Sequence, residues 1–155
     1  MIAVALSNAR ATLGKIPAND PAWHSFNASF QNRNISPEEF LNLVANGHAY
    51  TTQHSNNWRH SRNFLCGQHI ALDLDNAGLS LEQVANIPFF ARYASFAHTT
   101  PSHTDSNPRL RVVFVLDRPI PTASKFAELA EALVERFGST DQSVKDPARF
   151  FYGAM

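Results

Sequence analysis

A chain of 155 residues with one cysteine, 13 basic and 13 acidic side chains is long enough to bury a core unaided, and its net charge is zero when the histidines are neutral. The lone Cys66 excludes an internal disulfide and a thiolate-clustered zinc site, so no zinc is expected, and it fits a reducing, cytoplasmic setting. No apolar run spans a bilayer or makes a signal-peptide core, which sets membrane roles aside, and any phosphate-binding charge has to be local.

Residues 1–62 carry few periodic signals and read as an N-terminal α/β module. Its clearest element is a helix opened by Ser36-Pro37-Glu38-Glu39, where Ser36 caps, Pro37 takes the first helical position and Glu39 closes a capping box; Gly47 ends it. Residues 48–52 suggest a short strand, and residues 53–63 a polar loop holding Trp58, Arg59 and Arg62. From residue 69 the pattern alternates, with Ile70, Leu72 and Leu74 on one face of a strand that ends in Asp73-Leu74-Asp75. Ser80-Leu81-Glu82-Gln83 is a second capping box, opening a helix that Pro88 interrupts before an extended stretch at 94–98. Residues 109–116 form a second strand. Thr122 then caps a long helix with Phe126, Leu129, Ala130, Leu133, Val134 and Phe137 in its stripe, stopped by Gly138. Residues 148–152 suit a closing strand. The order over 69–152 is βαββαβ, an α+β antiparallel sheet of the ferredoxin-like or RNA-recognition-motif-like kind, with 1–62 packed on 63–155 as one domain. The apolar ending at 150–155 reads as a chain cut short of further domains.

Alternate side chains of a strand share a face, so Asp73 and Asp75 project together with Cα atoms roughly 6.5 Å apart. Two carboxylates so close repel unless a cation neutralises them, and Mg²⁺ or Mn²⁺ is the natural candidate. Downstream, the loop Thr99-Thr100-Pro101-Ser102-His103 runs into a strand whose Arg109 and Arg111 share one face. A histidine and two arginines beside a carboxylate pair would supply fixed cations for phosphate oxygens near metal ions. Asp141, before the closing strand, is the candidate third metal ligand; Asp146 competes, although Asp146-Pro147 reads equally well as a turn starter. Arg149 could reach phosphate or template, and Trp58 and Arg62 could stack on bases or grip a strand.

The strand ending Asp73-Leu74-Asp75, the Thr-Thr-Pro-Ser-His loop leading to Arg-Leu-Arg-Val-Val-Phe-Val-Leu-Asp-Arg-Pro-Ile, and Asp141 with Asp146-Pro147-Ala148-Arg149-Phe150-Phe151-Tyr152 together resemble the archaeo-eukaryotic primase superfamily. The likeness covers residues 62–152 and is to the primase-polymerases of phages, plasmids and mobile elements. It implies a primase-like fold and template-directed nucleotidyl transfer with two Mg²⁺ or Mn²⁺ ions. Asp73, Asp75 and Asp141 would be both the catalytic residues and the metal ligands. His103, with Ser102, Arg109 and Arg111, would bind the nucleotide; Trp58, Arg62 and Arg149 the template. Implied partners are single-stranded DNA, a primer strand, nucleoside triphosphates and a helicase or accessory domain. The family's second motif is a small residue, any residue, then His, running directly into its strand. Pro101-Ser102-His103 is followed by a polar insert instead, which leaves Arg111 to share the phosphate role and makes His98 a rival to His103.

Two rival readings follow from the same residues. A haloacid-dehalogenase-type phosphoesterase also places Asp-x-Asp at a strand end, but wants Thr or Val where this chain has Asn76 and needs a parallel sheet. A non-catalytic replication-initiation or single-strand-binding module could keep the fold without the chemistry.

Overall fold

A computed structural model describes residues 3–75, 77–137 and 141–154. The protein is α+β, with two antiparallel sheets. The first has strand order β2-β1-β3, from β1 (Val4–Ala11), β2 (Gln31–Ile35) and β3 (His48–Thr51). The second has order β4-β5-β7-β6, from β4 (Gln53–His54), β5 (Phe64–Asp75), β6 (Phe96–Thr99) and β7 (Arg109–Ile120). The helices are α1 (Ala22–Asn27), α2 (Pro37–Ala45), α3 (Leu81–Ala85), α4 (Pro88–Tyr93) and α5 (Ala123–Phe137).

Local chemistry sets the helix starts. Ser36 Oγ accepts the Glu39 N–H at α2, while Ser80 and Gln83 form a complete reciprocal box at α3. Glu39 does not close its own box; its carboxylate lies 3.7 Å from Arg33 instead. Pro88 does not merely interrupt a helix: it takes the first turn of α4, where its missing N–H costs nothing. On α5 the buried stripe is Phe126, Ala130 and Val134, and Leu129 is left exposed. Phe126 packs where a side chain at residue 67 would be, since a Cβ on Gly67 would fall 2.6 Å from its ring. Gly138, the expected stop, lies outside the described residues.

β3 and β4 are one extended run broken only at Thr52, so a single segment feeds both sheets. One apolar cluster accordingly holds Val4, Leu6, Phe40 and Tyr50 from the N-terminal part together with Ile70, Leu72, Val112 and Phe126. Gln68 staples the sheets, accepting the Ala5 N–H at 2.9 Å and donating to the Leu116 carbonyl at 3.1 Å. A smaller aromatic cluster gathers Phe26 and Phe30 with Trp23, Phe150 and Tyr152.

The expected closing strand is a correction. Residues 148–152 form no named strand and do not join β5; their one bridge is Phe151 to Tyr50 of β3. The neighbour of β5 on that side is β4. The reason is local: the hydroxyls of Thr51 and Thr52 take the carbonyls of Arg149 and Pro147, at 2.7 and 2.6 Å, and Gly153 passes against the α2–β3 junction. A Cβ at residue 153 would lie 2.7 Å from the Val44 carbonyl oxygen. Because β5 pairs antiparallel with both neighbours, the parallel sheet of the phosphoesterase rival is absent among the described residues. No helix among them is long and apolar enough to cross a membrane.

Candidate functional site

The register of β5 on β7 places Asp73 opposite Arg111 and Asp75 opposite Arg109; that of β6 on β7 places His98 opposite Arg111. Residues directly opposite in an antiparallel pair share a face, so Asp73, Arg111 and His98 form a row across three strands. Asp73 is buried and its Oδ1 accepts from Arg111 Nε at 2.6 Å. Arg111 also donates to the Tyr152 carbonyl at 3.1 Å and lies 4.5 Å over the Phe151 ring. Burial works against the Arg111 charge, but the Asp73 carboxylate bonded to it keeps it protonated.

Asp75 sits one strand period further out, bonded through Oδ2 to Arg109 at 2.9 Å. Its Oδ1 is buried and has no hydrogen-bond partner. Asp141 caps the 3₁₀ turn Gln142–Lys145, accepting the Ser143 N–H and hydroxyl, and pairs with Arg149 at 2.9 Å. Partial burial would raise its carboxyl, but the two Ser143 bonds and the nearby Arg149 and Arg111 outweigh that and hold it below the usual range.

All three aspartates line one cleft of about 260 Å³, with Arg111, Arg149 and Ser102 on its walls. Six of the residues singled out from sequence therefore meet, although Asp141 is far along the chain from the other two. The remaining four do not. His103 is not part of the lining: its N–H closes a turn onto the Thr100 carbonyl, and its Nδ1 accepts the Arg109 N–H at 3.2 Å, so the ring terminates its own loop. Arg109 is outside the lining, held by Asp75. Trp58 is 68% exposed on another surface, beside His24, Asn27 and Asn57, and Arg62 is exposed in the following turn. Asp146, the competing acid, accepts the Ala148 N–H and the Ser61 hydroxyl and behaves as a turn residue.

Three further residues escaped the sequence reading or were underweighted. Tyr50 and His98 are buried beside the Asp73–Arg111 pair. His98 Nδ1 meets the Thr99 carbonyl at 2.7 Å, which makes it the protonated nitrogen and leaves Nε2 to accept from the Tyr50 hydroxyl at 3.1 Å. Burial and then Arg111 push His98 down to about 4, so the ring is neutral near pH 7. Lys15, in the loop after β1, lines the cleft with no ion pair among the described residues. A lone lysine in a polar loop gives no sequence signal.

Divalent cations suit this donor set in one respect: Asp75 Oδ1 is a buried carboxylate oxygen that accepts no hydrogen bond from the protein. Among the described residues no three His, Cys, Asp or Glu side chains sit close enough to hold one ion, and each of the three aspartates is paired with an arginine. Compared with models of protein families, with curated proteins and with solved structures, the chain matches none.

Proposed function

We propose that this cleft carries template-directed nucleotidyl transfer from nucleoside triphosphates to a 3′-hydroxyl, as a primase-polymerase acting on single-stranded DNA with Mg²⁺ or Mn²⁺, built on an RNA-recognition-motif-like catalytic sheet. The observation that supports it is the meeting of Asp73, Asp75 and Asp141 in one concave site with Arg111, Arg149 and Ser102. Bound there, the ions would supply activation of the attacking hydroxyl and charge neutralisation at the leaving pyrophosphate. Asp73, Asp75 and Asp141 would hold them through the carboxylate oxygens not bonded to their arginines, each ion pair staying in place. Ser102 offers a hydroxyl to a phosphate oxygen, and Arg149 adds a cation at the rim. Arg111 fixes the floor, since its guanidinium is spent on Asp73 and the Tyr152 carbonyl.

The clean test is Asp75→Asn. The Asp75–Arg109 pair is about one third exposed on each side, 37% and 31%, so losing it costs roughly 0–1 kcal/mol and the variant folds. Primer extension with Mn²⁺ is expected to fall on the order of 100-fold or more, the scale of removing one preorganised electrostatic group. Extension equal to wild type would remove the assignment.

One observation favours the non-catalytic alternative: every aspartate of the cleft already has an arginine partner. A binding module of that kind predicts oligonucleotide affinity indifferent to Asp75→Asn and no calorimetric heat with Mn²⁺. Both readings share a template contact at Trp58, which stands in water while its carbonyl is fixed by Asn63. The adjacent Arg59 lies 4.8 Å over Phe150, itself part of the cleft wall. Trp58→Ala should weaken single-strand binding by about 1–3 kcal/mol, read by fluorescence anisotropy of a labelled oligonucleotide. An unchanged isotherm would take Trp58 out of the interface.

A further inference from the structure

The charges around the cleft leave one cation over. Asp73, Asp75 and Asp141 are each bonded to an arginine, at 2.6, 2.9 and 2.9 Å, and Lys15 alone among the lining cations makes no ion pair among the described residues. Its loop would be expected to wander, being exposed and polar, with Leu13 at its tip 98% exposed. The loop is nevertheless tied down beside Lys15. The Tyr152 hydroxyl accepts the Ile16 N–H at 2.9 Å and donates to the Ile16 carbonyl at 3.2 Å, while Thr12 N–H bonds the Gly47 carbonyl at 3.2 Å. Tyr152 is the residue whose carbonyl holds Arg111, so the clamp that positions Lys15 and the clamp on Asp73 are one residue. Lys15 also lines an open depression formed by residues 10–16, which brings a second cation, Arg10, beside it.

We propose that Lys15 is the contact for the phosphate tail of the nucleotide, held over the cleft by Tyr152, and that the site therefore selects a nucleoside triphosphate over a monophosphate. This rests on the reading of the cleft as a nucleotidyl-transfer site. An ammonium on a flexible stem suits a tail of several phosphate oxygens, for which it acts as a point charge and not as a planar fork. The arginines cannot take this role without releasing a carboxylate, whereas Lys15 has nothing to release.

The test is calorimetric titration of the full chain with deoxyadenosine triphosphate and with deoxyadenosine monophosphate, both in Mn²⁺, alongside binding of a labelled single-stranded oligonucleotide. Lys15→Ala is expected to weaken triphosphate binding about tenfold or more, to leave monophosphate and oligonucleotide binding unchanged, and to be largely rescued by Lys15→Arg. The lysine is exposed, so the variants fold as wild type does. Wild-type triphosphate binding that Lys15→Ala leaves intact overturns the role of Lys15 alone. An equal loss of oligonucleotide binding makes Lys15 a strand contact and overturns it too. Absence of triphosphate binding by the wild type removes both this role and the reading of the cleft beneath it.

Discussion

Asp73→Ala is expected to destabilise the protein by about 3–5 kcal/mol, read as a fall in the urea midpoint, before any effect on chemistry is measured. Asp73 and Arg111 have side chains only 6% and 8% exposed, joined at 2.6 Å. Removing the carboxylate leaves a guanidinium buried against the Phe151 ring and one carbonyl, with its charge unmatched. Removing both members is a different experiment. Asp73→Ala combined with Arg111→Met takes away the charge along with its partner and should recover most of the loss, because apolar replacements of buried ion pairs are often neutral or stabilising. A single variant within 1 kcal/mol of wild type would show that the pair does not hold the sheet together. The consequence for function is direct: lost activity in Asp73→Ala says nothing about metal ligation, and Asp75 is the position at which chemistry can be separated from folding.

That asymmetry between neighbouring aspartates was not legible in the sequence, although their shared face was. Strand alternation from Ile70 to Leu74 and the strand from Arg109 are one-dimensional signals, and the structure extends both, to Phe64–Asp75 and Arg109–Ile120. Depth is not such a signal. Asp73 is held by Arg111, which meets the Tyr152 carbonyl and the Phe151 ring, and the route of that segment is hidden too: Ala148 to Tyr152 is apolar enough for a strand but is bound to β3 through Thr51 and Thr52. β1 was missed for a related reason: six consecutive residues, Val4 to Ala9, are buried on both faces, Ser7 and Asn8 among them, so no alternation survives. The cleft itself was half legible. Its acids announce themselves as Asp-x-Asp and a later Asp, but that the ring of His103, expected to contact the nucleotide, receives the Arg109 N–H in a turn outside the cleft lining cannot be read from residue types. Lys15 comes from a loop whose anchor, Tyr152, is 136 positions away.

Acidification is expected to unfold the protein well above the pH at which its carboxylates titrate. His54, His69 and His98 are 1%, 1% and 6% exposed, and each is pushed down to about 4, burial being the first cause in all three. Arg59 adds to the effect at His54 and Arg111 at His98, while His69 packs against the rings of Phe40 and Tyr50 with its Nδ1 unpartnered. In the unfolded chain the same rings titrate near 6.5. The folded state thus binds fewer protons than the unfolded one between those values: the stability is fully present above about 6.5 and is lost as pH falls toward 4. Three protons correspond to a slope of about 4 kcal/mol per pH unit through the middle of that window, against a total stability of about 5–15 kcal/mol. Urea midpoints measured from pH 7.5 to 4.5 should collapse below pH 6, and His69→Gln should make the decline shallower by about one proton whatever it does to stability at neutral pH. A urea midpoint at pH 4.5 equal to that at pH 7 would mean that these rings are not held neutral by the fold.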